Sequence, residues 1–150
     1  MNHAEYAARL FAEGYNCSQA VFLAFAEDMG LDRGFAARLV SPFGGGMGRM
    51  REVCGAVTGM YAVLGVLYGY EVPGDDTVKK ALYTDVQALA AQFRETHGSI
   101  ICREILKNPP SDPTPSPRTE EYYRKRPCAR MAYRAAEILE GYIAAHPIEK

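Results

Sequence analysis

The sequence predicts a single all-α domain, a bundle of about six to seven helices over residues 1–150. Three observations support this fold class. Apolar residues recur at helical spacings of three and four, no segment alternates apolar and polar residues as a half-buried strand does, and glycine or proline separates the helical stretches. A chain of this length also buries enough surface to fold without a disulfide or a structural metal.

The N-terminal third predicts three helices. The first covers residues 2–13 and ends before a glycine. Asn16 is a suitable N-cap for a second helix over residues 17–29, and Asp32 is a suitable N-cap for a third, short one.

A glycine-rich loop follows these helices. Gly44, Gly45, Gly46 and Gly48 are too flexible for a stable helix, so the backbone is expected to turn sharply or approach another group closely. The loop lacks the Gly-Lys-Ser/Thr ending of a P-loop and does not complete a G-x-G-x-x-G fingerprint, so nucleotide binding is not expected.

Arg49 and Arg51 come directly after the last glycine of this loop. We expect both side chains to be solvated. The alternative is that they add positive charge to a site formed beside the loop.

The segment from Val53 to Tyr70 has eighteen residues without a charge, just enough to span a membrane. Its four glycines dilute the hydrophobicity, so we expect the central buried helix of the domain and no membrane span. Gly55 and Gly59 share one helix face, as do Gly65 and Gly69, and such faces let neighbouring helix backbones approach closely.

The C-terminal half predicts three further helices. The clearest amphipathic pattern covers residues 77–96, and Ser99 is a suitable cap for a short helix through Leu106. Residues 109–118 hold five prolines and predict an extended linker or lid within the domain. A last helix is expected from Pro127 to about Ala145.

The four cysteines, Cys17, Cys54, Cys102 and Cys128, each fall in the first turn of a predicted helix. The partial positive charge of a helix N-terminus stabilises a thiolate and lowers the pKa of the thiol. No two of them form a C-x-x-C pair, so the fold itself must assemble any shared site. Four separate core cysteines, or one reactive pair with two bystanders, remain alternatives.

Composition limits the remaining function classes. The formal net charge is −1, without the basic surplus of a nucleic-acid-binding protein. No charged n-region precedes an apolar run at the N-terminus, so a cytoplasmic location is expected, and stable disulfides are rare there.

Several motifs together resemble a bacterial family of redox-active proteins of the C_GCAxxG_C_C type, and the resemblance covers most of the chain. They are Asn16-Cys17-Ser18-Gln19-Ala20-Val21, Phe43-Gly44-Gly45-Gly46-Met47-Gly48, Cys54-Gly55-Ala56-Val57-Thr58-Gly59, Cys102-Arg103-Glu104-Ile105-Leu106 and Cys128. The resemblance implies one shared four-cysteine site, with glycine backbone at positions 44, 45, 46, 48, 55 and 59 supporting it.

The resemblance also implies a chemistry for the site. An iron–sulfur cluster or another thiolate-bound metal for electron transfer is the first hypothesis, with a redox partner protein. A related domain occurs in split-Soret cytochromes, but this chain has no C-x-x-C-H motif, so haem is not expected. A metal-free thiol–disulfide protein or sensor and a structural module with packed cysteines are the alternatives, and whether the chain is an enzyme stays open.

Assembly is a separate expectation. The tyrosine-rich composition and the glycine-faced central helix favour a helical homodimer.

Overall fold

The structure is a computed structural model that describes residues 1–148. Those residues form nine helices, namely α1 (His3–Ala12), α2 (Cys17–Ala24), α3 (Ala26–Met29), α4 (Arg33–Val40), α5 (Gly55–Tyr68), α6 (Asp76–His97), α7 (Cys102–Ile105), α8 (Glu120–Lys125) and α9 (Cys128–Ala145). No strand forms within them, and only an isolated bridge joins Val53 to Ile101. The all-α prediction is confirmed.

Two departures explain why nine helices form where about six to seven were expected. The predicted helix over residues 17–29 is interrupted at Phe25, which leaves helical geometry (φ −110°, ψ 7°) and separates α2 from α3. The short helix α8 follows the proline-rich residues and begins at the Thr119 cap, whose side chain accepts a hydrogen bond from the Tyr122 amide.

Side-chain caps fix where several helices begin. Asn16 forms a capping box with Gln19 at the start of α2, and Asp32 accepts the Phe35 amide at the start of α4, as predicted. Ser99 is not the cap of the next helix. Its hydroxyl accepts the Ile101 amide, and α7 begins only at Cys102.

The core lies where α1, α2, α5 and α9 pack against one another. Its largest fully buried side chains include Phe11 of α1, Phe22 of α2, Leu64 of α5 and Met131 of α9. Burying a side chain of this size contributes about 1.5–3 kcal/mol, so this packing holds the starts of α2, α5 and α9 in fixed relation.

The central helix α5 is buried along most of its length, as expected. A Cβ added at Gly59 would lie 2.8 Å from the Ser18 carbonyl oxygen, so the first glycine pair does allow α2 to approach closely. The expectation is wrong for the second pair. Gly65 has no heavy atom within 4 Å of the added Cβ, and Gly69 faces only the backbone of Gly65.

The charge-free stretch does not become a membrane span. Across residues 1–148, no helix combines the length and the apolar character that crossing a membrane requires.

Candidate functional site

The four cysteines, far apart in sequence, line one cavity of about 390 Å³. All four side chains are free thiols and all are buried. Cys17, Cys102 and Cys128 are the first residues of α2, α7 and α9, and Cys54 directly precedes α5. The predicted placement at helix starts is confirmed, and the fold brings these starts together.

Glycine makes the close approach of the cysteine-bearing segments possible. A Cβ at Gly46 (φ 70°) would lie 2.6 Å from the Cys102 Cβ and 2.8 Å from the Arg51 Cα. A Cβ at Gly55 would lie 3.3 Å from the Cys17 Cβ and 2.9 Å from the Phe43 carbonyl oxygen. No other residue fits these positions without moving a cysteine-bearing segment.

The backbone of the glycine-rich loop adopts the left-handed conformation. Each residue from Gly45 to Arg49 has a positive φ, and so does Arg51. The non-glycine residues Met47 (φ 69°), Arg49 (φ 64°) and Arg51 (φ 60°) are strained there, at about 1–2 kcal/mol each. Strain of this kind persists where surrounding contacts hold the backbone in place.

Arg49 and Arg51 are turned into the cavity, so the expectation that they are solvated is wrong. Arg51 is only 5% exposed, and its Nε donates to the Pro110 carbonyl oxygen at 2.9 Å. Its Nη1 lies 3.7 Å from the Cys102 sulfur. Arg49 donates to the Asp112 carbonyl oxygen and to the Ser116 hydroxyl. The alternative, that these residues add positive charge beside the loop, is the one observed.

Two further arginines line the cavity from the C-terminal side. Arg118 lies over the Phe11 ring at 4.4 Å and donates to the Phe11 and Tyr15 carbonyl oxygens, both at 3.1 Å. Arg126 lies over the Tyr122 ring at 5.3 Å. Sequence reasoning missed both, although Arg126 stands two positions before Cys128 and so was a readable signal.

The predicted linker, residues 109–118, forms no helix and borders the cavity. Pro113, Pro115 and Ser116 are among the lining residues. Hydrogen bonds of Arg49, Arg51 and Arg118 join this part of the chain to other segments, so it packs against one side of the cavity. We call residues 109–118 the proline lid below.

Cys17 and Cys128 line the same cavity, and each side chain shifts the pKa of the other. The hydrogen bond from the Cys17 thiol lowers the pKa of Cys128, the charges of Arg126, Arg118 and Arg51 lower it further, and burial opposes both effects. The same hydrogen bond, together with burial, raises the pKa of Cys17 well above its ordinary value. The arrangement stabilises one thiolate, on Cys128, beside one protonated thiol.

The other two thiols are held neutral by burial. Burial raises the pKa of Cys54 to about 12, although the Ala56 and Val57 amides act in the opposite direction. Burial also raises the pKa of Cys102, against the effect of Arg51. A lowered pKa is therefore found at Cys128 alone, and there the hydrogen bond from Cys17 is the largest cause. The helix start by itself does not lower the pKa of the other three thiols below the ordinary value.

The donor geometry does not suit a single metal ion. Tetrahedral thiolate sites need sulfurs about 2.3 Å from one point. Among residues 1–148, no group of three or more His, Cys, Asp or Glu side chains is arranged to hold one ion. A polynuclear centre spreads its thiolate ligands over several metal atoms, and four cysteines around one cavity are the right donor set for it.

These observations define a class of protein, a helical protein with four free cysteines at helix starts around one arginine-lined cavity. The family described as "Putative redox-active protein (C_GCAxxG_C_C)" matches residues 15–142, so the chain belongs to this family of redox-active proteins. No curated protein and no solved structure matches the chain.

Proposed function

We propose that this protein is a thiol–disulfide redox protein in which Cys128 supplies the attacking thiolate and Cys17 is its partner thiol. The observation that carries the proposal is that both side chains line one cavity together with four arginines, and this setting lowers the pKa of Cys128 and raises that of Cys17. A thiolate is the nucleophile in disulfide exchange, and a neighbouring thiol is needed to resolve the mixed disulfide.

The proposed reaction balances within the pair and its substrate. The Cys128 sulfur bonds to one sulfur of a substrate disulfide, and the other substrate sulfur leaves as a thiolate that takes the proton of Cys17. The deprotonated Cys17 then attacks the Cys128 sulfur, which forms the Cys17–Cys128 disulfide and releases the second substrate sulfur as a thiolate that water protonates. The substrate gains two electrons, and a redox partner protein with a reducing dithiol returns them to the pair.

Alkylation at graded pH, mapped by mass spectrometry on the anaerobically reduced protein, tests this proposal. We expect Cys128 to react faster than free cysteine near neutral pH, and a mild oxidant to link it to Cys17. In Cys17→Ala the half-maximal pH of Cys128 alkylation should rise, whereas Cys54→Ala, which changes another buried cysteine of the cavity, should shift it far less. If no cysteine outpaces free cysteine near neutrality, the proposal is wrong.

A second candidate, a thiolate-bound metal centre, is favoured by the convergence of all four cysteines on one cavity. Cys17, Cys54, Cys102 and Cys128 would hold it. An iron–sulfur centre supplies one-electron transfer when bound, and the arginines around the cavity would offset its negative charge. Anaerobic purification with metal analysis and a visible spectrum tests this candidate. A colourless, metal-free protein whose stability is unchanged by a chelator would exclude it.

Two further expectations accompany either candidate. A homodimer stays a prediction, which the mass from light scattering tests. The cytoplasmic location also stays a prediction, which cell fractionation tests.

A further inference from the structure

The cavity carries a strong excess of positive charge. Its lining includes Arg49, Arg51, Arg118 and Arg126, and no aspartate, glutamate or lysine of the described chain joins them there. Cys128 lines the same cavity, so an anion bound by these arginines lies near its sulfur.

Most of these arginines have no carboxylate partner. Within residues 1–148, Arg51, Arg118 and Arg126 take part in no ion pair with a carboxylate. Arg49 has only Asp112, at 3.8 Å, and that side chain is 59% exposed. Arg51 is 95% buried, and burying an uncompensated charge is costly unless another group of opposite sign comes to it.

We propose that the substrate of this site is an anion, a small disulfide bearing carboxylate or oxyanion groups whose charge is met by Arg51 and Arg126. This rests on the proposed thiol–disulfide function. The anionic groups bind the guanidinium groups, and one sulfur of the substrate lies at the Cys128 sulfur. Planar guanidinium groups match carboxylates and oxyanions with paired hydrogen bonds, so the arginines orient the substrate as well as attract it.

The proline lid contributes to this selection. Arg51 is tied to the lid at Pro110 and lies beside Cys102, so it is held at the cavity wall and cannot turn out to solvent. A cleft with charges of one sign and low-dielectric walls raises the association rate of oppositely charged substrates by about 10–10³.

Two alkylating reagents of almost equal size test the proposal, anionic iodoacetate and neutral iodoacetamide. Each loses iodide as the Cys128 sulfur bonds to its carbon. We expect the rate ratio of iodoacetate to iodoacetamide at Cys128 to exceed the ratio for free cysteine by about tenfold or more at low salt, and to fall as salt is added. A ratio equal to that of free cysteine would overturn the proposal.

A matched pair of variants assigns the effect to the cavity. Arg126→Gln should lower the ratio severalfold. Arg124→Gln removes the same charge two positions earlier, in the last turn of α8 and outside the cavity lining, and should leave the ratio unchanged. Equal effects in the two variants would contradict the proposed role of Arg126.

A second measurement needs no variant and no reaction. Sulfate should raise the Tm of the reduced protein above that in chloride at matched ionic strength, in a saturable way. The rate ratio does not depend on the intrinsic reactivity of Cys128, so the two proposals can fail separately. If Cys128 reacts slowly but shows a high rate ratio and a sulfate effect, only the proposed thiol–disulfide function is refuted. A fast Cys128 with neither effect would refute anion selection alone.

Discussion

The Arg51 guanidinium lies beside the Cys102 sulfur, with Nη1 3.7 Å from Sγ. Its Nε donates a hydrogen bond to the Pro110 carbonyl oxygen at 2.9 Å. One buried side chain therefore connects a cysteine of the cavity with the proline lid that borders it. A change at this position alters both the charge felt by the thiol and the closure of the site.

The charge of Arg51 offsets part of the burial effect at Cys102. Arg51→Met should therefore raise the pKa of Cys102 further, because burial remains and the stabilising cation is lost. The measurement is the half-maximal pH of Cys102 alkylation. Opening of the lid would hydrate the thiol and lower this pH, so a rise reports the loss of the charge. Arg103→Met is the control, since Arg103 is 45% exposed and pairs with Glu52. An equal shift in both variants would contradict a specific role for Arg51.

Arg118 fixes the end of the proline lid through its ring contact with Phe11 and its bonds to two carbonyl oxygens. Arg118→Lys keeps the charge but not the planar donor geometry. The variant should lose about 1–3 kcal/mol of the free energy that holds the lid closed. We therefore expect a nonspecific protease to cleave the lid roughly tenfold faster under native conditions. Arg124→Lys serves as the control and should cleave at the wild-type rate. Unchanged cleavage in Arg118→Lys would show that other contacts close the lid.

Gly46 stands where a side chain has no room. Gly46→Ala would place a Cβ 2.6 Å from the Cys102 Cβ and keep a left-handed φ of 70°. The free energy of unfolding should fall by at least about 2 kcal/mol, as measured by denaturant titration. Gly141→Ala, in α9 with no atom within 4 Å, should instead add about 0.5–1 kcal/mol. Replacing glycine by alanine would have the same sign at both positions if only the backbone entropy changed. A fall at Gly46 and a rise at Gly141 would therefore assign the fall to the contacts and the positive φ of Gly46.

Cys54 makes the fold sensitive to high pH. Burial raises its pKa from 9.0 to about 12, so the folded protein keeps a proton that the unfolded chain has lost. This contribution to stability is fully present below pH 9 and is lost as the pH rises towards 12, by about 4 kcal/mol in total. Unfolding titrations of the reduced protein at pH 8 to about 11 should show the fall.

The variant Cys54→Ala should show a shallower fall in this range because the titrating group is gone. Val57→Ala, a nearby fully buried change without a titrating group, should keep the wild-type slope. Identical slopes in Cys54→Ala and the wild type would assign the fall to other groups with a raised pKa, such as Cys17 and Cys102.

Much of the fold could be predicted because it depends on local signals. Asn16 and Asp32 are caps in the sequence and in the structure, and the charge-free stretch does form the buried helix α5. The break at Phe25 could not be predicted, because no glycine or proline marks it and α2 and α3 read as one continuous helix. The prediction that Ser99 caps a helix was wrong, because its hydroxyl accepts the Ile101 amide in the turn that precedes α7.

The candidate site was predictable only in part. The helix-start positions of the cysteines follow from local signals, but the balance of their pKa values does not, because burial depends on the whole fold. The expectation that Arg51 is solvated was wrong for the same reason, because its burial depends on the whole fold. A charged residue after a glycine loop is ordinarily solvated, and only the proline lid, which comes some sixty positions later, buries it.

The order of the cysteines along the chain has a consequence for biosynthesis. Cys17 opens the second helix, and Cys128 opens the last one, which packs on the first. At about 5–20 residues per second, a ribosome makes Cys128 roughly 6–20 seconds after Cys17. Until then the nascent chain lacks both the partner of Cys17 and the last helix. Pairing of Cys17 with Cys128, or assembly of a centre on all four cysteines, would therefore have to follow synthesis of the segment that begins the last helix.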